Sequence, residues 1–151
     1  MAPVVFRMQF DFSPKGVLAI HHLHYKWLWL GIGLAMVATV FVLSIVSVPS
    51  AVKSFMVQDK VMHMVAYATL MGWFAQIYRH DLTRLVLVLG FIAMGIGIEF
   101  LQGMTATRHF EVIDMVANTS GVVLAWALAY TWVGEVLPWL EKRFNRLVLR
   151  H

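Results

Sequence analysis

The chain has 151 residues, 60% of them hydrophobic and only 13% charged, with a mean hydropathy of +0.74; ordinary soluble domains carry roughly 45–50% apolar residues. The charges sit between long apolar runs instead of recurring along solvated helix faces, so one membrane-embedded domain is expected and an ordinary soluble fold is excluded. The net charge of +4 does not point to nucleic acid, because the cations flank apolar segments, and the absence of cysteine excludes disulfides, thiolate metal sites and covalent haem attachment.

The first segment, residues 1–26, is expected on the cytoplasmic side. Phe6, Met8, Phe10 and Phe12 alternate with Arg7, Gln9 and Asp11, the period of a half-buried strand. A lone strand has no partner in this chain, so the segment reads as a surface-lying tail or as an attachment to a larger membrane complex. His21-His22-x-His24 reads as an interfacial piece before the first helix. The segment does not read as a cleavable signal, since the first long apolar run begins only near Trp27 and is long enough to stay in the membrane.

Four apolar runs follow: Trp27–Val48, Val61–Tyr78, Leu82–Gln102 and Val112–Gly134. Each is near the roughly 20 residues that cross a hydrocarbon core of about 30 Å. The connections Pro49–Lys60, Arg79–Asp81 and Gly103–Glu111 are short, so consecutive spans are antiparallel neighbours. The expected fold is an all-α membrane protein: a four-transmembrane-helix up-down bundle over 27–134, with amphipathic N- and C-terminal extensions. Trp27, Trp29, Trp132 and Trp139 stand near span ends, where indoles anchor at the interface.

Residues 135–151 form the last segment. Leu137, Leu140, Phe144, Leu147 and Val148 recur at helical spacing opposite Lys142, Arg143, Asn145, Arg146 and Arg150, a basic amphipathic helix suited to an anionic leaflet. Orientation follows from the cations. Arg7, Lys15, Lys26, Arg79, Arg84, Lys142, Arg143, Arg146 and Arg150 fall on one side, and Lys53, Lys60 and Arg108 on the other. The richer side is expected in the cytoplasm, with both termini.

The informative residues are the polar ones at membrane depth. Asp59-Lys60-x-x-His63 opens the second run, with Asp59 placed as an N-cap candidate and His63 about one turn inside. Tyr67 follows His63 on nearly the same face. The third run ends Gly95-x-Gly97-x-Glu99-x-x-Gln102, which puts Glu99 and Gln102 on one face, about 6 Å or less from the end. Two glycines below them allow another helix to approach. The fourth run follows Arg108-His109-Phe110-Glu111 and carries Asp114, Asn118, Gly121 and Ala125 on one stripe. An ionisable group at such depth is a functional-site candidate, because a lone charge facing lipid is costly. In an up-down bundle Asp59, Lys60, His63, Glu99, Gln102, Arg108, Asp114 and Asn118 converge on one outward pocket.

In order and spacing, Asp59-Lys60-x-x-His63, Glu99-x-x-Gln102 and Arg108-x5-Asp114-x-x-Ala117-Asn118-x-x-Gly121 resemble the bacterial VanZ-like family across roughly Gln58–Ala125. The resemblance implies a small multi-pass protein of the bacterial cytoplasmic (inner) membrane, in a family named for a member that raises resistance to the glycopeptide teicoplanin. It implies no particular reaction.

Three readings of the pocket follow. As a binding site, Lys60 and Arg108 engage the phosphate of an anionic membrane lipid or a polyprenyl-phosphate-linked envelope precursor, while the carboxylates orient its polar remainder. As helix glue in an accessory or structural subunit of a membrane complex, Glu99 or Asp114 pairs with Lys60 or Arg108, and Gln102 and Asn118 bond across the bundle. As a membrane enzyme acting on a lipid-linked phosphate or glycan, the chain would use His63, Glu99 and Asp114 as catalytic acid–base groups and Arg108 as charge stabiliser. No nucleophile elbow, Walker A loop or His-Glu-x-x-His helix supports catalysis. His63, Glu99 and Asp114 discriminate a metal poorly, so neither metal nor cofactor is expected. The absence of an internal repeat argues against solute transport by this chain alone.

Overall fold

A computed structural model describes residues 23–45, 56–105 and 110–148. These residues are all-helical, with α1 at Lys26–Ile45, α2 at Met56–Ile77, α3 at Asp81–Gly103, α4 at Val112–Leu128 and α5 at Val136–Val148. A single 3-10 turn, Trp132–Glu135, links α4 to α5. The strand-like Phe6–Phe12 segment, His21, His22 and Arg108 lie outside the described residues.

Contacts at the helix ends set the chain direction. The end of α1 meets the end of α3 through Ser44 and Gln102, whereas its start meets the end of α2 through Trp29 and Trp73. The start of α2 meets the start of α4 through His63 and Asn118, and the start of α3 meets the residues after α4 through Asp81 and Tyr130. Directions therefore alternate from α1 to α4.

Length and composition qualify α1 and α3 to cross a membrane, and a third span arises if the bent pair α4–α5 is counted as one. At 1.5 Å per residue, 20 residues in α1 give about 30 Å, the thickness of the hydrocarbon core. Only Gly33 of α1 is buried, and Leu34, Phe41, Val42 and Leu43 are exposed, as suits a peripheral helix solvated by lipid. α2 falls short of a plain apolar span because it carries Asp59, Lys60, His63, Tyr67 and Gln76, several of which face other helices.

α2 and α4 form the tightest pair. A Cβ on Gly121 would strike the Met64 carbonyl oxygen and come within 3.0 Å of the Ala68 nitrogen, so these backbones touch. In lipid, burying Leu70 or Met71 gains little over leaving them among acyl chains; close packing supplies the attraction, and only a small residue permits it. The stripe Asp114–Asn118–Gly121–Ala125 is buried throughout, and the core continues through Tyr67, Phe74, Val88 and Phe91. Phe74 and Phe91 meet with ring centroids 5.7 Å apart.

Two expected boundaries are corrected. α2 begins at Met56, so Asp59 lies in its first turn and is not an N-cap. The run Val112–Gly134 is not one continuous helix: α4 ends at Leu128, and the following Trp132–Leu147 segment is bent from it by 79°. Thr131 Oγ1 accepts from the Val133 N–H at 3.3 Å, which starts a new turn. Gly134 passes so close to Ala129 that a Cβ would strike the Ala129 carbonyl oxygen.

The bend sends α5 across the bundle end. Leu137 and Glu141 are buried there, whereas Leu140, Phe144 and Leu147 remain exposed beside the basic stripe of Lys142, Arg143 and Arg146. Its apolar side is thus only partly consumed by protein packing. Trp27, Trp132 and Trp139 are exposed, as interface anchors would be. Trp29 is different: it packs edge-on against Trp73 at 5.9 Å and donates its indole N–H to Glu141.

Candidate functional site

The polar residues of three helices meet at one end of the bundle. Lys60 stands early in α2, where the helix dipole disfavours a cation, and two carboxylates offset that cost. Its Nζ donates to Glu111 Oε2 and Asp114 Oδ1. Those acids stand at the N-terminus of α4, which favours negative charge. One pair of contacts thereby neutralises both helix starts and fixes their register.

His63 lies one turn deeper and faces α4. Its Nδ1 is 3.2 Å from Asn118 Oδ1, and its Nε2 is 3.7 Å from Asp114 Oδ2. Asp114 thus turns one carboxylate oxygen toward Lys60 and the other toward the imidazole. Asp59, one turn before His63 on α2, is exposed; one donor atom from each of Asp59, His63 and Asp114 lies within 4.8 Å of the others.

Glu99 enters from α3. Its Oε1 accepts the Glu111 backbone N–H at 2.6 Å, so a side chain of α3 covers the N-cap residue of α4 from outside, satisfying a donor that the helix itself leaves free. The other oxygen, Oε2, has no partner among the described residues, although Glu99 is 1% exposed. Tyr67 is in the same condition: 1% exposed, with its hydroxyl unpartnered. Gly95 makes room for this layer, since a Cβ there would lie 3.2 Å from Asn118 Cβ and 3.3 Å from a Tyr67 ring carbon. Gly97 has open space around it and does not share that role.

Seven of the eight expected site residues are described. Lys60, His63, Asp114 and Asn118 touch directly, Asp59 borders them, and Glu99 joins through the Glu111 backbone. Gln102 turns elsewhere: its side-chain amide donates to the Ser44 carbonyl at 2.6 Å, tying down the C-terminal turn of α1. Glu111 and Tyr67 belong to the cluster as well. Tyr67 is signalled by its spacing of four from His63, and Glu111 by its place three residues before Asp114.

The arrangement is acidic. Among the described residues, the carboxylates of Asp59, Glu99, Glu111 and Asp114 gather with one ammonium, Lys60, which Glu111 and Asp114 already hold. Such a cluster suits hydroxyl, amide or ammonium groups of a ligand, proton exchange through the imidazole–carboxylate pair, or a cation. Lys60 alone does not make it a phosphate site. A family model described as VanZ/LLP1 matches residues 32–133, a stretch that contains every one of these groups. No curated protein and no solved structure matches the chain.

Proposed function

The chain belongs to the VanZ/LLP1 family, and from that premise we propose that it is a four-span protein of the bacterial cytoplasmic membrane whose outward polar pocket binds the headgroup of an anionic lipid or lipid-linked envelope precursor. The observation that carries this reading is that Glu99 Oε2 and the Tyr67 hydroxyl, both buried within the cluster, have no partner among the described residues. Groups serving only to hold helices together are normally paired, because an unmet buried polar atom costs roughly 1–3 kcal/mol. Hydrogen-bonding capacity left over inside a cluster is what a ligand's hydroxyl or amide would use. With Lys60 held by carboxylates, the phosphate-facing role falls to Arg108, in the connection between Thr105 and Phe110. Arginine's planar fork suits phosphate oxygens, and the ligand's tail stays in the bilayer. Both termini are cytoplasmic in this reading, and α5 lies along the inner leaflet with its basic stripe on anionic lipid.

A second reading keeps support from specific contacts. The Lys60 ion pairs, the His63–Asn118 contact and the Gln102–Ser44 bond all cross between helices, as an accessory subunit with a purely structural cluster would have them. Mass spectrometry of lipids retained through purification separates the two. The binding reading expects an anionic phospholipid or polyprenyl phosphate on the wild type and its loss from folded Arg108→Ala. Equal retention by both proteins leaves the structural reading standing.

A further inference from the structure

We infer that Asp59, His63 and Asp114 form a site for a single divalent transition-metal cation of the zinc class. This goes beyond headgroup binding and does not depend on it, since the site uses protein atoms alone. It also departs from the sequence expectation that no metal is bound, the set His63, Glu99 and Asp114 having too little discrimination.

The imidazole of His63 sits between two oxygen acceptors. Asn118 Oδ1 is an acceptor, so the Nδ1 that it meets at 3.2 Å carries the ring proton, and in the neutral ring Nε2 presents a lone pair. That lone pair lies 3.7 Å from Asp114 Oδ2, another acceptor. Something positive must join them, either a proton on Nε2, which makes the contact an ion pair, or a metal ion. A metal ion does so with the geometry present: bonds of about 2.0–2.1 Å in a tetrahedral zinc site set ligand atoms about 3.3 Å apart, a small side-chain adjustment from what is seen. Asp59 supplies the third ligand from the preceding turn of α2, all three donor atoms lying within 4.8 Å of one another.

The surroundings match those of a ligand set. Metal-bound histidines usually give their other ring N–H to a fixed acceptor, and ligating carboxylates are usually held by a further hydrogen bond. Here Asn118, 2% exposed, takes the Nδ1 proton, and Lys60 holds Asp114 through Oδ1, leaving Oδ2 for the gap. An independent observation comes from α3. Glu99 is buried with one oxygen lacking a partner among the described residues and lies within Coulombic range of Lys60, His63 and Asp114. Four carboxylates against one ammonium leave the described cluster at a formal charge of −3, which a divalent cation brings to −1. Three protein ligands also leave one coordination position open, suited to a water or a phosphate oxygen.

The test uses the full chain in detergent, with any affinity tag removed, stripped with a chelator and titrated with zinc chloride against a competing zinc indicator. One tight equivalent per chain is expected. Asp59→Asn and Asn118→Ala should each weaken it by about 10–100-fold, and His63→Ala should abolish it. Cobalt(II) added in place of zinc should give visible absorption that His63→Ala lacks. Asp59 is exposed, so its variant reports even if a buried substitution misfolds. Zinc uptake by the wild type no greater than by His63→Ala overturns the site. So does a tight equivalent that survives both Asp59→Asn and His63→Ala, which would place the metal elsewhere, such as on His21, His22 and His24.

Discussion

The two ends of the bundle are built from similar residues and finished differently. At the α5 end, polar side chains close helix termini from neighbouring elements. Glu141 of α5 accepts the His24 and Tyr25 N–H groups at 2.8 Å each, covering the start of α1. Gln76 of α2 accepts the Leu137 N–H at the start of α5, also at 2.8 Å. Arg84 of α3 donates to the Tyr78 and Ala75 carbonyls at 2.9 and 2.8 Å, covering the end of α2. Tyr130, just past α4, donates to Asp81 at 2.6 Å and stacks on Arg84 at 5.2 Å. At the opposite end an acidic surplus surrounds one lysine. Among the described residues, buried polar atoms without a partner occur toward both ends, Glu99 Oε2 and the Tyr67 hydroxyl here and His80 Nε2 and Trp126 Nε1 toward α5, so the acidic surplus is what distinguishes this end. Helix ends buried in an apolar medium must be capped, and the α5 end does this thoroughly. Residues beyond that need are the ones to test for binding.

The sharpest way to break the contrast is to damage the capped end. Arg84→Ala removes both caps on α2 and strands buried carbonyls, so a loss of about 3 kcal/mol is expected, read by unfolding of the protein in detergent micelles. Glu141→Ala frees two backbone N–H groups and the Trp29 indole from a charged acceptor. A smaller loss of about 2 kcal/mol follows, with faster hydrogen exchange at His24 and Tyr25. At the other end, Glu99→Gln keeps the acceptor for the Glu111 N–H but removes a buried charge. Its stability should stay within about 1 kcal/mol of wild type, while lipid retention changes. A destabilisation there as large as that of Arg84→Ala would erase the distinction between the ends.

Much of the candidate site was legible because helical spacing is a strong signal. Asp114, Asn118, Gly121 and Ala125 recur on one face, and that face is buried. His63 and Glu99 stood out because charge or polarity inside an apolar run needs a partner. Other features depended on which neighbour a side chain reaches, which spacing does not encode. Gln102 shares a face with Glu99 yet bonds to α1. Arg84 counted as one more cytoplasmic cation, although it is 5% exposed and serves as a cap. Glu141 carried no signal of its own in the sequence, although it lies one turn from buried Leu137 and shares its side of α5. The break after Leu128 was hidden for another reason: Ala127, Leu128, Ala129 and Tyr130 are apolar, so hydropathy runs straight through them. The turn is made by the Thr131 hydroxyl and the close approach of Gly134.

Gly121 has a mechanical consequence. Because backbone rests on backbone where it meets Met64 and Ala68, α2 and α4 behave as a two-ply spar, with no side-chain cushion to compress between them. The register between His63 and Asn118 is therefore set by backbone contact as well as by their own 3.2 Å contact. On the α3 side the contact is lighter, Glu99 meeting the start of α4 through one hydrogen bond to the Glu111 backbone.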